Sequence, residues 1–190
     1  MSLPVLHPSI IPLFSTPIFH SSIGGIGEEV TGRIKNLKFI QDIAGEEGLL
    51  DSMPGFKNSI VTKVNEYLFK ILELSFFDYY FPDSWFLRLN PSGRSIPHIH
   101  SNALYSGVVY IDASDNSNIV FNRSHYGGNL NSMGYDIETK EENIYTSSRW
   151  QITPKNGDIL IFPSFVSHAV SQNISGKSRV SFSFNILPLH

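Results

Sequence analysis

Cysteine is missing from all 190 residues, which excludes disulfides, thiolate ligands and iron–sulfur chemistry and leaves the redox compartment unconstrained. Charge is scarce: 16% of residues are charged, and the formal net charge is −3. With no basic excess, a charge-driven grip on a long polyanion is excluded, although a nucleotide-sized substrate is not. Long apolar runs are absent as well. Ile10-Ile11-Pro12-Leu13-Phe14 is too short and too proline-broken to span a bilayer, and the segment from Met1 to Pro8 lacks the basic start of a signal peptide. The expectation is a cytoplasmic protein with no membrane partner. Aromatic residues, in contrast, are plentiful at 13%, with 14 Phe and 8 Tyr. A chain of this length and composition folds, and it reads as one domain over 1–190 with a substantial core.

The domain divides by texture. Residues 9–20 read as an extended segment, an outer strand where prolines are tolerated at an edge. Gly24-Gly25-Ile26-Gly27 reads as a flexible turn, because a phosphate loop would need a preceding strand and a helix-opening lysine. Val30, Ile34, Leu37 and Ile40 recur at near-helical spacing over 28–41. Ile60, Val64, Tyr67, Leu68, Ile71 and Leu72 form a continuous stripe over 59–74. Both helices should brace a sheet. From Trp85 onward come short alternating runs at 85–90, 105–112, 118–122, 148–153, 158–162, 166–172 and 179–187, separated by turn residues. Residues 1–84 thus form an extended segment plus helices, and residues 85–190 a β core. The fold class is mainly β with buttressing helices, a double-stranded β-helix (jelly roll, cupin-like). The long stretch 123–147, with Gly127-Gly128-Asn129, breaks this rhythm and is expected to act as a lid over the site.

Chemistry concentrates in four residues: His98 and His100, His168 about 70 positions later, and Arg179 another 11 beyond. Side chains at i and i+2 of a strand share a face, so His98 and His100 can aim at one point. A third imidazole from His168 closes one triangular face of a metal and leaves the opposite face open, as in facial-triad non-haem iron sites. Imidazole suits iron, zinc, copper and nickel alike, so the ligands alone do not name the metal. In Arg179-Val180-Ser181-Phe182-Ser183-Phe184-Asn185 the alternation is strict, placing Arg179, Ser181, Ser183 and Asn185 on one face. Arg179 offers a planar fork for a carboxylate, and Ser181 can add a hydrogen bond. A 2-oxo acid needs this combination: one end chelates the metal, the other docks on arginine.

At these residues the chain, from Trp85 to Asn185, resembles the Fe(II)- and 2-oxoglutarate-dependent oxygenases. Within them it is most similar to a small-protein branch often found in phage and marine bacterial genomes. The resemblance rests on four pieces in order: His98-Ile99-His100, Ser106-Gly107-Val108-Val109-Tyr110-Ile111, Gly157-Asp158-Ile159-Leu160-Ile161-Phe162-Pro163 with His168, and Arg179 to Asn185. It implies Fe(II) on His98, His100 and His168, and 2-oxoglutarate held by Arg179 and Ser181. It further implies dioxygen as co-substrate and hydroxylation of a C–H bond in a peptidyl or small-molecule substrate. The wider superfamily has an acid at the second position of the first motif, where this chain has His100. A second frame reads His100-Ser101-Asn102 as the motif, with Asn102 in the acid position; an amide oxygen is the weaker ligand for Fe(II), which favours His98 with His100.

Other readings stand beside this one. A three-histidine cupin-type dioxygenase would need no oxo acid, but its usual glutamate is missing from positions 101–106. A non-catalytic jelly-roll binding module would leave the histidines incidental or holding a structural metal. His7, His20, His125 and His190 carry no motif, though His125 falls in the expected lid. Asp158 follows Gly157 in a turn, where aspartate bonds its own backbone. Tyr105, Tyr110 and Asn102 flank the first motif as candidate pocket residues, with ordinary strand packing as the alternative, and Arg88 is a weaker candidate. A homodimer is left open.

Overall fold

The computed structural model describes residues 15–113, 117–123, 140, 141, 143 and 145–189. In chain order the elements are β1 (Phe19–Ser22), α1 (Glu28–Asn36), β2 (Ile43–Gly45), α2 (Pro54–Asn65), a π-helical continuation (Glu66–Ile71), β3 (Tyr79–Tyr80) and β4 (Ser84–Leu89). There follow β5 (Tyr105–Asp112), β6 (Ile119–Asn122), β7 (Arg149–Ile152), β8 (Asp158–Pro163), β9 (His168–Val170) and β10 (Arg179–Pro188). A seven-stranded sheet runs β1-β8-β5-β10-β4-β2, with β3 also paired to β10, and a three-stranded sheet runs β7-β6-β9. Every pairing is antiparallel. The two sheets form a double-stranded β-helix braced by the helices.

Alternation along the strands sorts side chains into two cores. On the outer face of the large sheet, Phe86, Val109, Ile159, Ile161, Phe182, Phe184 and Ile186 pack against Phe56, Ile60, Val64, Tyr67 and Leu68 of the helices. On the inner face, Val108, Tyr110, Leu160 and Phe162 meet Ile119 and Phe121 of the small sheet. Phe182 is the keystone of the outer core, edge-on to Phe56 at 5.1 Å and Phe86 at 4.9 Å. Phe182→Ala is expected to cost about 3–5 kcal/mol of unfolding free energy, through lost burial and a cavity that rings on both sides cannot refill. Urea denaturation measures it; a loss under about 1 kcal/mol would contradict this packing. Gly107 has a related reason: a Cβ there would sit on the Phe184 ring. Only glycine lets β5 and Phe184 come so close.

Three differences from the sequence reading have local causes. The first helix stops at Asn36, short of residue 41, because Ile40-Gln41-Asp42-Ile43 is a tight hairpin turn. Gln41 and Asp42 both take positive φ, 48° and 69°, the geometry of a type I′ turn without its usual glycine. The second helix begins earlier, at Pro54, and shifts to π-helical bonding at Glu66, with the Leu72 amide donating to the Tyr67 carbonyl at 2.9 Å. The outer strand of the N-terminal segment is β1, which pairs with β8 at the sheet edge, two residues beyond the prolines. Most of the 123–147 stretch lies outside the described residues. Its flanks are anchored: the Asn122 amide donates to Ser167 carbonyl at 2.8 Å, and the Arg123 amide to Ser148 carbonyl at 2.8 Å. Among the described residues, no helix is long and apolar enough to cross a membrane.

Candidate active site

The three histidines come together at one end of the space between the sheets. His98 and His168 face each other across a bridge with reciprocal backbone hydrogen bonds of 3.0 Å, and the His100 amide donates to Ser164 carbonyl at 3.0 Å. These contacts turn all three rings to one side. His98 and His100 stack at 5.4 Å and 19°, while His168 lies 4.4 Å from His98 and 5.1 Å from His100. One ring nitrogen from each lies within 4.8 Å of the others, near enough to share an ion. Asn102 is exposed in the turn that follows.

Hydrogen bonds select which nitrogen each ring presents. His98 Nδ1 lies 2.9 Å from Ile96 carbonyl, and His168 Nδ1 lies 2.9 Å from Val166 carbonyl. A carbonyl only accepts, so in both rings Nδ1 carries the proton and Nε2 keeps a free lone pair. His100 Nδ1 meets Asn185 Oδ1 at 2.7 Å and Ser106 Oγ at 3.0 Å. Outer partners of this kind orient metal-binding imidazoles and fix their tautomer. Burial pushes the His168 pKa down to about 4, helped by neighbouring His98 and His100 and opposed by the Val166 carbonyl. The ring is therefore neutral at physiological pH, the state a metal needs. Trp85 packs 5.7 Å from His100, and Phe162 lies 4.7 Å from His168, so the rings have aromatic walls.

Arg179 sits further along the inner face of β10 and is 2% exposed. Its Nη1 donates to Ser117 Oγ at 3.2 Å, its Nε has no hydrogen-bond partner, and its guanidinium lies 4.7 Å from the Tyr110 ring centroid. Among the described residues it has no ion-pair partner. Burial accordingly pulls its pKa below the ordinary arginine range, with Tyr110 acting in the opposite direction. The Tyr110 hydroxyl is also buried beside this guanidinium, and burial raises its pKa to about 12 despite Arg179, so its O–H remains a donor. A buried cation and a buried phenol O–H, side by side, form a receptor for an anion. Ser181, 2% exposed, is two residues along the same face.

The remaining candidates separate cleanly. Tyr105 turns to the outer core, edge-on to Tyr67 at 5.6 Å, and Arg88 lies 3.8 Å over the Phe39 ring on that same side. Neither reaches the inter-sheet space. Asp158 accepts from the Lys155 amide at 2.8 Å within its turn and also pairs with His20 at 3.0 Å. His7, His125 and His190 lie outside the described residues. Sequence reasoning gave no role to Ser106, Ser117, Ser164, Trp85 or Asp83. Only Asn185 carried a signal, as the last member of the polar face of β10.

No curated protein matches this chain. Solved structures do. HygX from Streptomyces hygroscopicus, with nickel and 2-oxoglutarate bound, superposes with a TM-score of 0.60 at 12% identity, covering 91% of this chain and 83% of its own. An oxidoreductase of the 2OG-Fe(II) oxygenase family from Burkholderia pseudomallei gives 0.57 at 11% identity, covering 83% and 75%. SnoN, a non-haem alpha-ketoglutarate-dependent epimerase from nogalamycin biosynthesis, gives 0.59 at 14% identity, covering 90% and 78%. At such identities these likenesses concern the fold. The family model described as "Putative 2OG-Fe(II) oxygenase" matches residues 83–185, just over half of the chain and all four motifs. The chain belongs to that family of 2OG-Fe(II) oxygenases.

Proposed function

We propose that this protein is an Fe(II)- and 2-oxoglutarate-dependent hydroxylase, folded as one domain over 1–190, with iron on His98, His100 and His168. The observation that carries this reading is Arg179: a fully buried cation with no anion among the described residues, lining the same inter-sheet space as a three-imidazole cluster. The donor set fits the metal. One ring nitrogen from each of three imidazoles lies within 4.8 Å of the others, and imidazole is a good ligand for Fe(II) that leaves positions open for a chelating co-substrate. When bound, iron and the oxo acid would supply the oxidising chemistry with dioxygen. HygX, which shares the fold, is described with nickel and 2-oxoglutarate bound, and this supports the assignment of the co-substrate.

The chain's own residues would place and shield the reactants. Arg179 would hold the distal carboxylate of 2-oxoglutarate, with the Tyr110 hydroxyl donating a further hydrogen bond and Ser181 assisting. Desolvation strengthens such bonds, because no water competes for the fork. Trp85 would pack on the His100 ring and Phe162 on the His168 ring to hold their orientation. The substrate is a C–H-bearing side chain or small molecule.

Anaerobic titration of the apoprotein with Fe(II) and then 2-oxoglutarate tests the reading. The expected result is a visible metal-to-ligand charge-transfer band that saturates at one oxo acid per iron, followed by oxo-acid-dependent CO2 release in air. Iron binding with no oxo-acid response would favour the three-histidine cupin-type dioxygenase. Absence of metal binding would leave a jelly-roll binding module.

A further inference from the structure

The third histidine differs from its neighbours in how its tautomer is set. For His98 and His168 a backbone carbonyl decides, since it can only accept. Around His100 every immediate partner is ambiguous. The Asn185 amide has both a donor and an acceptor end, and the Ser106 and Ser164 hydroxyls can each donate or accept. Ser106 Oγ lies 3.0 Å from His100 Nδ1, 2.8 Å from Asn185 Oδ1 and 2.7 Å from Ser164 Oγ. Flipping the amide of Asn185 and reversing the two hydroxyls would give an equally bonded cluster. In that reversed cluster His100 Nδ1 would accept, and the proton would sit on Nε2, the nitrogen a metal must use.

One further contact breaks this symmetry. Asn185 Nδ2 donates to Asp83 Oδ1 at 2.7 Å. An ionised carboxylate only accepts, so it holds the NH2 end of the amide toward itself and the oxygen toward His100. A flipped amide would set oxygen against oxygen. Asp83 itself is exposed, whereas Asn185, Ser106 and Ser164 are buried. Solvent screens its charge, so its contribution to the ring is a direction and not a field.

We propose that Asp83 is a positioning residue for the metal site: through Asn185 it selects the Nδ1–H tautomer of His100 and so frees Nε2 as the third ligand. This rests on the metal reading above. It also accounts for how a histidine can serve in the position where the wider superfamily has an acid. The chain supplies a carboxylate two hydrogen bonds away, where it decides which nitrogen faces inward.

Asp83→Asn is the informative variant, because asparagine keeps the size and can still accept or donate, losing only the bias. Long-range 15N–1H correlation spectra of the apoprotein read the His100 tautomer directly. The wild type should show Nδ1–H alone; Asp83→Asn should populate Nε2–H, with Zn(II) affinity falling about 10-fold, as outer-partner changes do. The spectra of His98 and His168 should not move. Thermal denaturation accompanies these spectra, since a purely structural role would lower the melting temperature without altering the tautomer. An unchanged His100 tautomer in Asp83→Asn overturns the proposal. A different failure, Zn(II) leaving the wild-type His100 Nε2 resonance unshifted, would overturn the metal reading while the tautomer comparison still decides the role of Asp83.

Discussion

Arg179→Ala is expected to weaken 2-oxoglutarate binding by roughly 100- to 5,000-fold while leaving iron stoichiometry unchanged. The range corresponds to the 3–5 kcal/mol lost when one partner of a buried, hydrogen-bonded charge pair is removed. Two features of the site place the effect at the upper end. Arg179 is 2% exposed, among the described residues its Nη1 donates to Ser117, and its buried Nε has no hydrogen-bond partner, so the fork keeps a donor for a ligand. The adjoining Tyr110 hydroxyl is buried and would also lose an acceptor for its O–H if the oxo acid no longer bound. The fold should tolerate the change, because Arg179 without an anion is a desolvated charge and its removal relieves that cost. Arg179→Lys should rescue only in part, since a point charge cannot reproduce the fork. Ser181→Ala removes at most one hydrogen bond to a charged group and should cost less, about 1.5–3 kcal/mol. Anaerobic titration followed by the charge-transfer band gives the affinities, and metal analysis gives the stoichiometry. Equal oxo-acid affinity in wild type and Arg179→Ala would remove the co-substrate from the reading and leave a metal site alone.

Parity explains both what could be read from the sequence and what could not. The alternation of Arg179 to Asn185 already divides β10 into a polar and an aromatic face, and the structure uses both as cavity and core. The same rule resolves two residues that the motif alone leaves ambiguous. Tyr105 and Tyr110 are five positions apart on β5, so they must point to opposite faces, and only Tyr110 shares a face with Ser106 and Val108. Deciding which face is inward requires the neighbouring strand, which a single sequence does not align. Arg88 shows this directly: it pairs with Val180, an outer-face position of β10, and therefore goes to Phe39 and away from the pocket. Features set by long-range pairing were illegible. Asp83 lies in the loop before β4 with no periodicity to mark it, and its role depends on meeting Asn185, 102 residues away in sequence. The Gln41-Asp42 turn was hidden for the opposite reason: its composition lacks the glycine that announces such turns, while Leu37 and Ile40 continue a helical spacing beyond the helix end.

His100→Ala should lower Fe(II) or Zn(II) affinity by more than the roughly 10- to 100-fold typical of losing an outer partner, whereas Asn102→Ala should leave it unchanged. The two frames of the first motif differ in which residue, His100 or Asn102, fills the acid position of the wider superfamily, and the geometry bears on the choice. The His100 ring lies 5.4 Å from His98 and 5.1 Å from His168, with its Nδ1 side anchored by Asn185 and Ser106. Asn102 is exposed in the following turn, whereas the ring nitrogens of His98, His100 and His168 converge. Removing the His100 ring also leaves Asn185 Oδ1 without its imidazole donor, although Ser106 still donates to it, so the fold should survive. Trp85, which packs on the ring, would then face a gap, and some loss of thermal stability is expected with it. That loss is separable from metal binding, because affinity is measured by calorimetry well below the melting temperature. If Asn102→Ala weakened binding, the first motif would be His100-Ser101-Asn102, and the amide oxygen would stand where the wider superfamily has its acid.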